Sequence, residues 1–427
     1  MKDPLKQSFF RYENAIVLMM FFTFGIVFME RLSIVFLFPF IGPDLNLTNA
    51  DLGMIVSVLA VTWALSGWVF SALSDVIGSK RKVLLPATLI FSLCSFLSGM
   101  VGNLWSMMFV RGAMGLAEGP VLPIAQATVL AESTPKRRGF NAGFMQSSVG
   151  LIGSTLTPII VVAIATQLSW QWAFYIAGIP GLIMFLLLAK YMREPKNMEA
   201  EKGQKRKKIT KQEYIEIYKN RNTLLCTLIS IVFMTWLFVF TTFAPVYLTS
   251  KGYTAGEMGL IMAALGFGSF VWGFGGPAIS DKIGRKPTLI IFSLIACLSP
   301  LVLALIQGSL AVMMLLGFLT AVGQACFPLF MAIIPGESMP AILAASAISV
   351  TQLVGEIFGG AIMPIIAGIA ADAWGLEAPL YIAFAGALIA AFIALGIKET
   401  APIKLQKLQV PQPVIAVGAE QNIKQIE

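Results

Sequence analysis

Twelve runs of mostly apolar residues, each about 20 residues or more, dominate this chain. They lie near 15–40, 51–73, 83–102, 106–131, 140–165, 172–191, 223–249, 257–279, 288–307, 309–333, 341–371 and 378–397. A run of that length crosses the hydrocarbon core of a bilayer as a helix. Inside lipid the backbone must satisfy its own polar groups, so runs like these are restricted to α-helix. The rest of the chain cannot offset them. Of 427 residues, 57% are hydrophobic and 12% charged, about half the charge of a soluble domain. The expected fold class is an all-α membrane protein with twelve transmembrane helices. The first run is too long for a signal peptide and enters a second span without a small-residue cleavage site, so it is expected to be retained.

One long polar stretch divides the spans six and six. The expected organisation is an N-terminal half, 1–191, a basic linker, 192–222, a C-terminal half, 223–397, and a tail, 398–427, expected to be disordered. The linker carries Lys202, Lys205, Arg206, Lys207, Lys208 and Lys211. Its end, Gln212–Arg221, reads either as a short helix on the membrane surface or as plain solvated linker.

The positive charges set an orientation. With the N-terminus cytoplasmic, 27 of the 30 Lys+Arg fall on the cytoplasmic side and only Lys251 falls outside. That asymmetry is the positive-inside pattern. It accounts for the net charge of +8 by anionic lipid, without nucleic acid. The expected location is a cell (inner) membrane with both termini cytoplasmic, and the chain is read as a monomer. It has no His, which excludes His-based catalysis and His metal sites. Cys94, Cys226, Cys297 and Cys326 stand singly in apolar runs, so no metal centre is expected. No cofactor and no enzymatic activity are expected either.

The two halves echo each other. After the second span the chain reads Ser74-Asp75-Val76-Ile77-Gly78-Ser79-Lys80-Arg81, and after the eighth Ser280-Asp281-Lys282-Ile283-Gly284-Arg285-Lys286. Asp75 and Asp281 are 206 residues apart, about half the chain. The Asp closes a helix end, the Gly makes a tight turn, and the basic pair meets headgroups. The bland alternative is a plain helix connector. A parallel repeat of this kind implies two six-helix halves related by a pseudo-twofold along the membrane normal.

On these residues the chain resembles the major facilitator superfamily of secondary transporters, whose loop signature is G-x-x-x-D-x-x-G-R-K/R. Ser71 and Pro277 stand in the leading Gly places, and Gly67 and Gly273, one turn earlier, are expected to supply the close packing. The resemblance implies alternating access, with Asp75, Gly78, Lys80, Arg81, Asp281, Gly284, Arg285 and Lys286 as gating residues.

Ionisable groups inside spans cost at least about 2.5–3.5 kcal/mol each and are functional candidates by default. This chain has Glu30 and Arg31 in the first span, Arg111 and Glu118 in the fourth, and Glu356 in the eleventh. Glu30 and Glu118 fall near mid-depth at about 1.5 Å per residue. Arg111 and Glu118, seven apart, share one helix face. The four N-terminal charges are expected to form one buried cluster of zero net charge. It is either a structural network or a site where a proton on a carboxylate leaves a guanidinium free for an organic anion.

The local strings sharpen the resemblance. Met29-Glu30-Arg31-Leu32-Ser33 is similar to the first-span D-R-x-x motif of the anion:cation symporter branch, with Glu30 in the Asp place. That branch includes sialin-like, vesicular glutamate and bacterial sugar-acid transporters. Arg111-Gly112-Ala113-Met114-Gly115-Leu116-Ala117-Glu118-Gly119-Pro120 resembles its R-x-x-x-G-x-x-E-x-P pattern, and Trp170-Gln171-Trp172-Ala173-Phe174 its W-R-W-x-F turn. The resemblance implies that Arg31 and Arg111 hold a substrate carboxylate, that Glu118 is the main proton carrier and that Glu30 is a second. Glu356 stands alone in its half. It reads as a third proton site, an acceptor for a substrate hydroxyl, or a protonated packing residue.

Other candidates for the cavity wall are Gln126, Asn141, Gln146, Ser147, Trp236, Phe240, Tyr247, Gln324 and Gln352, each with packing as the alternative. Pro120, Pro123, Pro158, Pro180, Pro245, Pro328, Pro335 and Pro364 predict bent helices. The expected function is proton-coupled uptake of a small organic anion. Rivals are proton-antiport efflux of drugs or sugars, whose span-five Gly-Pro pair is missing here, phosphate antiport, whose span-seven basic residue is missing, and a membrane sensor.

Overall fold

The computed structural model describes residues 12–134, 137–194, 215, 217–401 and 404, and leaves out the side chains at 68, 71, 72, 75, 76, 274, 341, 342 and 345. The basic run of the linker and most of the tail, with the expectations placed on them, lie outside the described residues. So does the Asp75 side chain.

Among the described residues, twelve helices are long and apolar enough to cross a membrane: α1 (Tyr12–Leu45), α2 (Asn49–Ile77), α3 (Lys80–Ser98), α4 (Leu104–Glu132), α5 (Arg138–Gln167), α6 (Trp170–Tyr191), α7 (Arg221–Ser250), α8 (Ala255–Ile283), α9 (Arg285–Leu305), α10 (Leu310–Glu337), α11 (Ser346–Trp374) and α12 (Glu377–Ala394). They match the twelve apolar runs one for one. The end of the bundle at which Tyr12, Tyr191, Arg221 and Ala394 lie is called the near end, and the opposite end the far end. Large apolar side chains such as Phe109, Trp105 and Leu186 face outward, as lipid contact requires.

Helix ends are fixed by caps. Thr48 and Asp51 close a capping box at the start of α2, as Thr254 and Glu257 do for α8. Gly78 and Gly284 end α2 and α8 at φ 68° and 112°, where a side chain is disfavoured.

The prolines bend helices in a regular way. Three spans widen into π-turns at Val149–Leu156, Leu329–Ile333 and Glu356–Ile362. Each stops one residue short of a proline, Pro158, Pro335 or Pro364. A proline has no N–H to donate and crowds the preceding turn, so the turn before it loosens. In α5 the freed carbonyls are taken up by hydroxyls: Thr155 Oγ1 donates to Gly150 O at 2.7 Å and Thr157 Oγ1 to Ile152 O at 2.8 Å.

The two six-helix halves meet along two seams, α2 against α11 and α5 against α8. Both seams are tight because glycine removes the side chain at the contact. A Cβ on Gly53 would lie 2.3 Å from Pro364 O, one on Gly368 2.4 Å from Asn49 O, and one on Gly266 2.2 Å from Ser154. The Gly53 and Gly368 contacts lie toward the far end and the Gly266 contact near mid-height. Within the N-terminal half, Gly115, Gly119 and Gly67 bring α4 against α2. The expectation for Gly273 is corrected: a Cβ there would meet nothing within 4 Å, so its copy of the signature lacks this close contact.

Candidate functional site

The centre of the site is Arg31. It projects from α1 into the space between the halves, and its Nη2 donates to Glu356 Oε1 on α11 at 2.8 Å. Both side chains are buried, 5% and 7% exposed. Glu356 is therefore not alone, as its half of the sequence suggested, but holds the opposite half. The guanidinium is also boxed by aromatic faces, with ring centroids of Phe28, Trp63 and Phe238 at 5.7, 5.2 and 5.1 Å. The indole N–H of Trp63 has no acceptor among the described residues.

Arg31 shares a small cavity with Arg111. Its wall is Leu32, Ile55, Leu59, Phe238, Thr241 and Thr242, with further aliphatic groups of α1 and α2. The two guanidiniums are the charged groups of a lining that is otherwise apolar but for the hydroxyls of Thr241 and Thr242. Arg111 is fully buried. Its Nη1 donates to the Glu30 carbonyl at 3.0 Å, and its guanidinium lies 5.1 Å from the Phe174 ring. Among the described residues its Nε and Nη2 have no partner, nor do the carboxylates of Glu30 and Glu118. Both carboxylates act electrostatically on Arg111, and Arg31 and Arg111 act on Glu118. The Glu30 carboxylate points into the N-terminal half, where it would sit 3.0 Å from a Cβ on Gly181 of α6. The buried polar cluster thus runs from Glu30 through Arg111 and Glu118 to Arg31, then across the interface to Glu356.

The remaining candidates are dispersed. Trp236 is buried inside the C-terminal half, and its indole N–H donates to Ala296 O at 3.0 Å and Ser299 Oγ at 3.3 Å on α9. Its polar atom is thereby occupied away from Arg31. Phe240 stacks on Trp236, and Tyr247 donates to Ala304 O. Gln324 is half-buried in a 3₁₀ turn of α10. Gln146 and Gln352 are exposed. Asn141 donates to Glu13 Oε1 and Ser133 Oγ near the α4–α5 turn.

At the near end the duplicated loop forms two parallel clamps. Arg285 donates to Asp281 at 2.5 Å and to Glu337 at 3.0 Å. The Glu399 carboxylate accepts from the backbone N–H groups of Arg285 and Lys286 at 2.8 and 3.2 Å, and Lys286 Nζ donates to Leu395 O. In the other half Glu194 accepts from Ser79 Oγ and from the Lys80 N–H, and Arg81 donates to Ala189 O. A carboxylate after the sixth span of each half thus caps the third. Sequence reasoning passed over Glu194 and Glu399. The signal was present: they are 205 residues apart, each just after a basic residue.

At the far end, Asp372 of α11 accepts from the backbone N–H groups of Asn49 and Ala50 and from Asn49 Nδ2, at 3.0, 2.8 and 2.8 Å. It ties the C-terminal half to the first turn of α2. This residue, with Phe238, Thr241 and Thr242 at the cavity, carried no motif and was not singled out by sequence.

The sequence pattern of the Major Facilitator Superfamily matches residues 19–361 and, again, 278–420. The chain belongs to the Major Facilitator Superfamily. It is a multi-pass transporter of that superfamily. Among its relatives are a probable 4-methylmuconolactone transporter of Cupriavidus pinatubonensis, 26% identical over 70% of this chain and 70% of the relative. The hexuronate transporter of Bacillus subtilis is 26% identical over 64% and 65% of the two chains. The quinolone resistance protein NorA of Staphylococcus aureus is 24% identical over 92% and 100%. In fold the chain is similar to a bacterial homologue of the lysosomal transporter Spinster, with TM-score 0.74 and 16% identity over 91% of this chain and 97% of that one. A mutant of the nucleoside transporter NupG aligns with TM-score 0.76 and 14% identity over 91% and 100%.

Proposed function

We propose that this superfamily member takes up a small organic anion together with a proton, by alternating access between its two halves. The observation that carries the reading is the pairing of Arg31 and Arg111 in one apolar cavity between the halves, backed by two carboxylates without hydrogen-bond partners. Guanidinium is the group suited to bind a carboxylate with two parallel hydrogen bonds. In so apolar a setting a guanidinium needs an anionic partner, and a substrate carboxylate can supply one on Arg111, or on Arg31 in place of Glu356. The Trp63 N–H, and the hydroxyls of Thr241 and Thr242, offer partners for a hydroxyl of a sugar acid or the polar edge of an aromatic acid.

Glu118 carries the coupling proton in this reading, with Glu30 as a second carrier. Protonation of Glu118 removes a negative charge that acts on Arg31 and Arg111, and so raises their attraction for an anion. Proton and anion then favour each other's binding, which is the requirement for symport. The names of the hexuronate and probable sulfoacetate transporters among the relatives support an anionic substrate. With the termini cytoplasmic in the inner membrane, the far-end contacts of α2 with α11 lie on the outer side. Lipid is its surrounding partner, and a single chain is the working unit.

Proton-driven drug efflux is the second reading, favoured by the long alignment with NorA. Uptake of labelled organic acids into proteoliposomes, with an inward proton gradient, separates the two. Symport predicts gradient-driven uptake that Glu118→Gln abolishes. Uptake unchanged by Glu118→Gln removes Glu118 as the coupling group. A gradient that drives only export points to the efflux reading.

A further inference from the structure

Glu356 is positioned by two features of α11. Its glycines press the helix onto α7: a Cβ on Gly355 would lie 2.0 Å from Ser230 Oγ, and one on Gly359 2.3 Å from Ile231 O. The π-turn that begins at Glu356 then swings the carboxylate off that seam toward α1. Among the described residues, Arg31 is the charged side chain that meets it. The flanking helices α2 and α7 carry no charge near it: α2 has Asp51 and Asp75 toward its two ends, and α7 has Arg221 at its start. Asp372 and Glu377 lie at the far end. Arg31 in turn acts electrostatically on Glu118.

The guanidinium that faces the cavity is thus already occupied by a carboxylate, and that carboxylate belongs to the other half of the protein. We propose that Glu356 is the resident counter-anion of the transport site. It stands in for the substrate carboxylate on Arg31 and ties the two halves while the site is empty. An entering monocarboxylate takes its place once Glu356 has received a proton. The exchange balances. The substrate oxygens accept the hydrogen bonds that Glu356 gives up, a proton from the aqueous opening neutralises Glu356, and the charge around Arg31 is unchanged. Without the proton, the displaced Glu356 would be a bare carboxylate between apolar helices, which the surroundings penalise heavily. This inference rests on the anion-binding reading above and adds a residue specific to this chain's C-terminal half.

Spin labels on Met100→Cys and Trp374→Cys, exposed far-end positions in opposite halves, read the distance across the closure. The four native cysteines are buried, and labelling of the otherwise unchanged chain sets the background. In ligand-free protein at pH 8, Glu356→Gln is expected to move a major fraction of the population to distances longer by several ångströms. Glu356→Leu, which cannot bond Arg31 at all, moves more. A distribution identical in all three proteins overturns the tie between the halves. This arm needs no substrate, so it is decided whether or not the anion reading stands.

The second arm titrates D-glucuronate into the same proteins between pH 5.5 and pH 8. Affinity in the unchanged chain is expected to fall more steeply with pH than in Glu356→Gln, by about tenfold per pH unit for the one proton removed. At pH 8 the variant binds more tightly, because the competing carboxylate is gone. Equal slopes, or weaker binding by the variant, overturn the exchange. If glucuronate and a benzoate control bind no variant at either pH, the anion reading fails, while the distance arm still judges the tie.

Discussion

The carboxylate of Asp372, two residues from the end of α11, caps the first turn of α2 by accepting from the N–H groups of Asn49 and Ala50. A helix start offers unpaired N–H groups and a partial positive charge, so an anion there is stabilised. Here the anion comes from the other half, and the cap doubles as a fastening between halves. Opening the far end requires breaking it.

Asp372→Asn should therefore loosen the far end without unfolding either half. The change removes a charge-assisted contact at an exposed position, about 1 kcal/mol. Far-end opening should become roughly fivefold more populated. A reporter is available in Ser57→Cys, a near-isosteric change at a buried position behind the closure. Its rate of reaction with a membrane-impermeant thiol reagent should rise by that factor. An unchanged rate would show that Asp372 does not hold the closure.

Gly53→Val should block the same closure sterically. A Cβ at Gly53 would sit 2.3 Å from the Pro364 carbonyl, against backbone that cannot swing aside. The clash is confined to the contact of α2 with Pro364 and Ile365 of α11, so the protein should still fold and reach the membrane. If transport proceeds by the proposed alternating access, it should drop by more than about tenfold. Gly256→Ala is the control, since nothing lies within 4 Å of a Cβ there. Loss of transport in the control, or retention in Gly53→Val, would count against this account.

At the near end, Glu399→Gln should cost about 0.5–2 kcal/mol, the usual value of a helix N-cap. The carboxylate binds the N–H groups of Arg285 and Lys286 and those of Thr400 and Ala401 as well. Glu194→Gln should show a smaller loss, as it meets one backbone N–H and one hydroxyl. Thermal unfolding in detergent ranks them. The reverse order would indicate that backbone capping is not what these residues contribute.

The spans were legible because lipid imposes the same demand on every segment: enough apolar length and an internally bonded backbone. The Arg111 and Glu118 relation was legible because helical spacing alone puts them on one face. The Arg31–Glu356 pair was not. Periodicity tells which way a side chain leaves its helix, but not which helix, 325 residues away, stands opposite. Zero net charge in the N-terminal cluster concealed it further, since nothing there seemed to lack a partner. Trp236 read either as a stacking surface or as a packing residue, and its N–H finds acceptors on α9, as a buried indole must, which fits packing. Gly67 packs and Gly273 does not, although the two copies of the loop read alike.

The Arg31–Glu356 pair makes a prediction of its own about stability. Removing one member of a buried ion pair leaves the other charge without compensation, which costs about 3–5 kcal/mol. Replacing both by neutral groups of similar shape removes the liability along with the pair. Arg31→Gln should therefore unfold at a clearly lower temperature. Arg31→Gln combined with Glu356→Gln should recover much of the loss. The single Glu356→Gln should fall between, because Arg31 keeps the aromatic faces of Phe28, Trp63 and Phe238 and the nearby charge of Glu118. Unfolding temperatures of the three variants give the coupling by difference. Additive losses would mean that the two residues do not act as a pair, and the contact between the halves would then rest on the glycine seams and the Asp372 cap.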